Sequence, residues 1–354
     1  MTGATDGGFG SEDPASNRVA VVGSTAWGTT LAILLARNGR SVVLLVRDAD
    51  EQATLDGVRK NVRRLPGADF PRELEVSADP AALQDAALIC FAVPSLSFLA
   101  NVEAVAAHVS DGATLLTATK GIDAESGRRM SQLLAGALPG RPVVALSGPN
   151  LSRELASGLP GSTVIASADA QLDAVRSAFH SDGLRVYSSV DIIGVELGGA
   201  LKNVIAIAAG MVDAFDYGDN AKAAIVTRGL AEITRLGVAA GADPLTFQGL
   251  AGIGDLVATA YSPLSRNRRL GELIVGGASL EEALATLGAT AEGASTVPSA
   301  LRLAKRLGVE MPITAGLDGI MFHGVSPRSA VAALMEREPK TELATSSRGG
   351  NADA

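Results

Sequence analysis

Apolar residues recur along the first half of the chain in short runs separated by segments of helical spacing. Residues 18–23 read RVAVVG, a valine-rich run suited to a buried strand. Leu31, Leu34 and Leu35 then recur at helical spacing before Arg37, and Asn38-Gly39 supplies a helix stop. A second strand is predicted at residues 41–46 (SVVLLV), and further strands at 86–93, 113–119, 142–147, 162–167 and 184–187. Strands alternating with helices predict an α/β fold, a doubly wound Rossmann-type sheet domain over residues 18–190. Beyond about Val190 the strand-like runs stop. Ala- and Leu-rich helical segments broken by Gly and Pro fill residues 191–337, which predicts an all-α second domain. The polar residues 1–17 and 338–354 are expected to be disordered tails.

One stretch differs from the rest, GVELGGALKNVIAIAAG at residues 194–210. From Leu197 to Val212 its only polar side chains are Lys202 and Asn203, so the pattern predicts a helix enclosed on every side. Burial lowers the pKa of a lysine, which makes Lys202 a candidate acid or base. The competing reading places it near the helix start, with its ammonium snorkelling to water.

Between the first strand and helix lies Gly23-Ser24-Thr25-Ala26-Trp27-Gly28. It matches the dinucleotide fingerprint G-x-G-x-x-G at Gly23 and Gly28 but has Thr25 in the middle. A side chain at that place is expected to stand between the backbone and a pyrophosphate. Arg47, at the end of the second strand, stands where an acid often binds the ribose of NAD. An arginine there accommodates the 2'-phosphate of NADP. Residues 57–72 hold five basic residues and read as a solvated connection. Lys120 and Gly148-Pro149-Asn150 follow strands, at the sheet edge where such folds bind ligands. In the helical half, Asp255 and Thr259 are four apart and share a helix face. Ser265-Arg266-Asn267 follows, and the planar fork of Arg266 suits a phosphate.

Composition narrows the function classes. A net charge of −8 argues against a general nucleic-acid binder. The one cysteine, Cys90, excludes an intramolecular disulfide, and three scattered histidines give no metal-ligand spacing, so no metal is expected. The polar, acidic N-terminus is unlike a signal peptide, and no apolar run reaches the roughly 18 residues needed to span a bilayer. A cytoplasmic enzyme acting on a small molecule, with no nucleic-acid partner, is the expectation. The oligomeric state is open, a homodimer included.

Taken in order, VVGSTAWGTTLA (21–32), ATKGI (118–122), SGPN (147–150), GVELGGALKNVIAIAAG, TRGLAEITRLG (227–237), GLAGIGDLVAT (249–259) and SRNRRLGE (265–272) resemble the bacterial NAD(P)-dependent sn-glycerol-3-phosphate dehydrogenases. The resemblance runs from about Arg18 to about Arg337. It implies a Rossmann domain followed by a helical domain of the 6-phosphogluconate-dehydrogenase type, NAD(H) or NADP(H) as cofactor, and reversible reduction of dihydroxyacetone phosphate to sn-glycerol 3-phosphate for glycerophospholipid supply. Lys202 matches the catalytic lysine, and Lys120 the lysine near both ligands. Gly148, Asn150, Asp255, Thr259, Ser265, Arg266 and Asn267 match substrate-site positions. Gly23, Thr25, Ala26, Trp27, Gly28, Arg47, Ser152, Thr290 and Glu292 match the cofactor site, with Arg266 expected to meet both ligands. Two alternatives stay open: a hydroxyacid dehydrogenase of the same two-domain plan, and a non-catalytic dinucleotide sensor suggested by Thr25.

Overall fold

The computed structural model describes residues 18–168, 172–288 and 290–336; the tails expected at 1–17 and 338–354 lie outside the described residues. Eight strands form one sheet: β1 (Arg18–Val22), β2 (Ser41–Leu45), β3 (Leu74–Ser77), β4 (Leu88–Phe91), β5 (Thr114–Thr117), β6 (Val143–Ser147), β7 (Gly161–Ala166) and β8 (Leu184–Ser189). Their order is β3-β2-β1-β4-β5-β6-β7-β8, and neighbours run parallel except at the antiparallel β6–β7 join. Successive residues of a strand face opposite sides of a sheet. Val19 and Val21 accordingly enter one core with α1 (Ala26–Arg37), α2 (Ala49–Val58) and α6 (Leu172–Phe179). Ala20 and Val22 enter the other, with α3 (Phe98–Val105) and α4 (Met130–Ala137). A sheet covered on both faces accounts for strands that read as unbroken apolar runs.

Two features depart from the sequence pattern. β3 is a four-residue edge strand with Glu75 exposed, too short and too mixed to stand out, and its register is fixed only by pairing with β2. The basic connection after α2 is not simply solvated: Asn61, Leu65 and Phe70 are buried in it. The Asn61 amide donates to Ser24 O at 2.9 Å and to Thr29 Oγ1 at 2.8 Å, pinning the connection to the turn between β1 and α1.

After a short α5 (Ser152–Ala156) and the last strands, the helices are α7 (Ile192–Ala214), α8 (Gly218–Ala239), α9 (Asp255–Tyr261), α10 (Arg266–Val275), α11 (Leu280–Leu287), α12 (Glu292–Leu307), α13 (Pro312–Phe322) and α14 (Pro327–Met335). The α7 helix is buried continuously from Gly194 to Met211, and its apolar residues form the centre of the helical core. By length and composition alone α7 could cross a membrane, which corrects the expectation that no apolar run is long enough. Of its most apolar window, 89% is buried inside the protein, the condition of a core helix.

Candidate active site

Lys202 sits in the buried middle of α7 and is 7% exposed, so it does not snorkel to water. Its ammonium donates to Asp255 Oδ1 at 2.7 Å and to Thr259 Oγ1. Asp255 and Thr259 lie one turn apart on α9, on the shared face that their spacing predicts. A widened helical turn, Leu250–Gly254, leads into α9 and places Asp255 at its N-terminus, where the helix dipole favours a carboxylate. From the sheet side, Lys120 follows β5, and its ammonium donates to Asp255 Oδ2 at 2.5 Å and to Gly148 O at 3.0 Å. One carboxylate therefore holds two ammonium groups delivered by different halves of the chain. Close backbone approach makes this possible. A Cβ at Gly199 would fall 2.2 Å from Ser147 Oγ, so glycine is what lets α7 press against the end of β6.

Burial lowers the Lys202 pKa to about 8; the Asp255 charge opposes this and the Lys120 charge adds to it. A lysine so poised exchanges protons near neutral pH.

The turn after β1 keeps the two outer fingerprint glycines for steric reasons. Gly23 has φ +107°, and a Cβ at Gly28 would fall 2.0 Å from Gly23 O. Thr25, at the middle position, carries no backbone strain. Its φ is −60°, an ordinary value, and it is the N-cap of α1. The hydroxyl accepts from Gly28 N at 3.0 Å and donates to Ala92 O at 2.7 Å, so it is turned into the protein. Ala26 and Trp27 begin α1, whose N-terminus suits an anion, and the turn thus fits a dinucleotide pyrophosphate. Ser152 opens α5 alongside, and its carbonyl accepts from Thr30 Oγ1 at 3.2 Å. Arg47 stands apart. Its side chain is 72% exposed and pairs through Nε with Asp48 Oδ2 at 3.1 Å.

The remaining residues line the junction of the two halves. Ser265 is the N-cap of α10, and its hydroxyl accepts from Arg268 N. Arg266 is the first residue of α10; desolvation of its guanidinium lowers its pKa, the Glu292 charge opposes this and the Arg64 charge adds to it. Glu292 opens α12 and accepts from the Ser95 hydroxyl and, at 3.3 Å, from the Ser95 backbone N–H; burial raises its pKa. Thr290 is exposed just before it. Asn267 is bound internally: its amide donates to Asn203 Oδ1 at 2.8 Å and its carbonyl accepts from Gly293 N at 2.9 Å. Asn150 is likewise held, donating to Ser162 O at 3.2 Å and accepting from Thr163 Oγ1 at 3.0 Å. Direct hydrogen bonds thus join Lys120, Gly148, Lys202, Asp255 and Thr259, but not Arg47. Sequence reasoning missed Ser95, Asn203 and Arg64. Only Asn203 left a signal, as the second polar residue in an apolar helix.

The chain matches the NAD-dependent glycerol-3-phosphate dehydrogenase family in both parts, the N-terminal one over residues 18–173 and the C-terminal one over residues 191–332. It is 45% identical over 330 residues to the glycerol-3-phosphate dehydrogenase (NAD(P)+) of Prosthecochloris aestuarii, covering 92% of this chain and 99% of that one. The structure of glycerol-3-phosphate dehydrogenase from Coxiella burnetii is similar with a TM-score of 0.88 and 35% identity, covering 91% of this chain and 99% of that one. A ketopantoate reductase from Ralstonia eutropha, at 18% identity and a TM-score of 0.57 over 90% of this chain and 99% of its own, shares the fold alone.

Proposed function

Because the chain belongs to the NAD-dependent glycerol-3-phosphate dehydrogenase family, we propose that it interconverts dihydroxyacetone phosphate and sn-glycerol 3-phosphate with NAD(H) or NADP(H). The observation that carries this reading is Asp255 joined to both Lys202 and Lys120 at the meeting of sheet and helices. When bound, the nicotinamide supplies the hydride that reaches the ketone carbon. Lys202, protonated, donates a proton from Nζ to the ketone oxygen. In the oxidative direction its neutral amine takes the proton from the hydroxyl. Asp255 fixes the direction of both ammonium groups through charge-assisted bonds. Lys120 brings a second positive charge to the substrate. Arg266 faces the phosphate and turns remote binding into positioning, with Ser265 and Asn267 completing the N-terminus of α10 beside it. Gly148 and Asn150 shape the wall opposite, and Thr259 holds Lys202 from below.

On the cofactor side, the N–H groups of Ala26 and Trp27 face the pyrophosphate, with Gly23, Thr25 and Gly28 shaping the turn. Ser152, Thr290 and Glu292 flank the nicotinamide half, and Arg47 flanks the adenosine half. The division at residues 190 and 191, a cytoplasmic location, a homodimer and a role in glycerophospholipid supply belong to the same proposal.

The test is consumption of NADH or NADPH with dihydroxyacetone phosphate beside unphosphorylated dihydroxyacetone. The phosphorylated ketone should be turned over and the other not. Equal rates with the two would remove the phosphate anchor from the argument.

A further inference from the structure

We propose that Glu51, in the first turn of α2, reads the adenosine ribose and gives this chain a preference for NADH over NADPH. The inference rests on the dinucleotide reading above and sharpens it. In a doubly wound sheet the adenosine ribose lies at the end of the second strand beside the first turn. There an acid accepts from the ribose hydroxyls, or an arginine takes a 2'-phosphate. By position, Arg47 is the residue that suggests NADPH.

The side chains point the other way. One Glu51 oxygen accepts from Ser24 Oγ, in the turn after β1, at 2.6 Å. The other lies 3.4 Å from the backbone N of Arg47, just past β2. The carboxylate thus bridges the two segments that border the ribose position. Its backbone is fixed as well, since Glu51 N donates to Asp48 Oδ1 at 2.8 Å. A carboxylate offers about four acceptor sites, so two remain for vicinal hydroxyls.

Two of the cations near the ribose position are held by carboxylates. The Arg47 guanidinium is exposed and paired with Asp48. Lys60, in the same cleft of about 570 Å³, is paired with Asp69 at 2.8 Å. Arg63 and Arg64 line the same cleft, on the connection that follows α2. A phosphate at the 2' position would bring its negative charge up to the Glu51 carboxylate that bridges the two bordering segments, and like charges at close range repel.

The experiment uses Trp27, the one tryptophan of the chain, which sits in the first turn of α1. Its fluorescence is followed while NADH and NADPH are titrated separately into the parent protein, Glu51→Gln and Glu51→Asp. The parent should bind NADH at least about tenfold more tightly. Glu51→Gln, which keeps the shape and removes the charge, should bring the ratio to within about threefold, chiefly by tightening NADPH. Glu51→Asp should retain the parent's preference. A parent ratio near one, or reversed, overturns the assignment without any variant, and so does a glutamine variant that keeps the parent's ratio. If the parent shows no preference yet reduces dihydroxyacetone phosphate, only the role of Glu51 falls. If it binds neither nucleotide, the dinucleotide reading falls with it.

Discussion

Lys202 and Arg47 are two of the cations that sequence position marks as chemically special, and the structure treats them in opposite ways. Lys202 is buried in α7, held by Asp255 and Thr259, with its pKa lowered to about 8. Arg47 lies at the open edge of the sheet, 72% exposed, with Asp48 as its side-chain partner. One has lost water and gained fixed partners; the other keeps its solvent. Proton chemistry needs the first condition, because only desolvation and fixed charges move a lysine into the working pH range. A place in a motif supplies neither. The helical half thus builds its chemistry from buried polar groups, whereas the cofactor edge of the sheet relies on backbone and turn geometry.

The sharpest way to break this contrast is Lys202→Ala. It should cost at least about 100-fold in kcat, the lower range for general acid–base catalysis, while NADH still quenches Trp27 fluorescence. Lys202→Arg should not restore turnover, because a guanidinium does not give up its proton near neutral pH. Near-normal kcat in Lys202→Ala would put the buried lysine on a level with Arg47 as a bystander.

Asp255→Asn should be next, with kcat lower by about 10- to 100-fold. Its pH dependence is the more telling readout. Reduction needs protonated Lys202, so its rate should fall as pH rises through about 8, and oxidation should rise over the same range. Asp255 favours the charged lysine, so its removal should move both midpoints below that of the parent. A midpoint that stays put, measured for both directions, would mean that another group sets the profile.

How far these sites show in the sequence follows from the distance over which their partners act. The α7 stretch is legible because burial on all sides leaves an apolar run in which Lys202 and Asn203 stand out. The pair Asp255–Thr259 is legible because both residues belong to one helix face. Lys120, by contrast, shows only its place at a strand end and nothing of its pairing, since its partner Asp255 lies 135 residues away. Glu51 and Ser95 are silent for the same reason: each acquires meaning from a segment the chain reaches only on folding, Ser24 in one case and Glu292 in the other. The β3 edge strand escaped because four residues with an exposed glutamate carry too little pattern. The antiparallel join of β6 and β7 has no local signal either, because the direction in which a strand enters a sheet is set by its connection.

Arg47→Ala should have a small effect, less than about threefold on the affinity for NADH, as expected of an exposed ion pair worth about 0–1 kcal/mol. Loss of NADPH binding alone by tenfold or more would show that Arg47 turns inward to a 2'-phosphate, and would bring the two cations closer in kind.

The smallest effect is expected at Thr25. By its place in the fingerprint, a side chain there crowds the pyrophosphate, and Thr25→Gly would tighten the cofactor. The geometry gives the opposite weight to the two terms. With φ at −60° the backbone carries no left-handed strain for glycine to relieve. The hydroxyl is engaged within the protein, donating to Ala92 O and accepting from Gly28 N. Removing it forfeits one partly buried hydrogen bond, about 1 kcal/mol, and a few tenths more at the helix cap. Thr25→Gly should therefore leave NADH affinity within about twofold and lower Tm by about 2–4 °C. Calorimetry and the Trp27 titration read the two quantities separately. A glycine variant that binds NADH tenfold more tightly would show that the threonine does crowd the cofactor, whatever its hydroxyl does in the free protein.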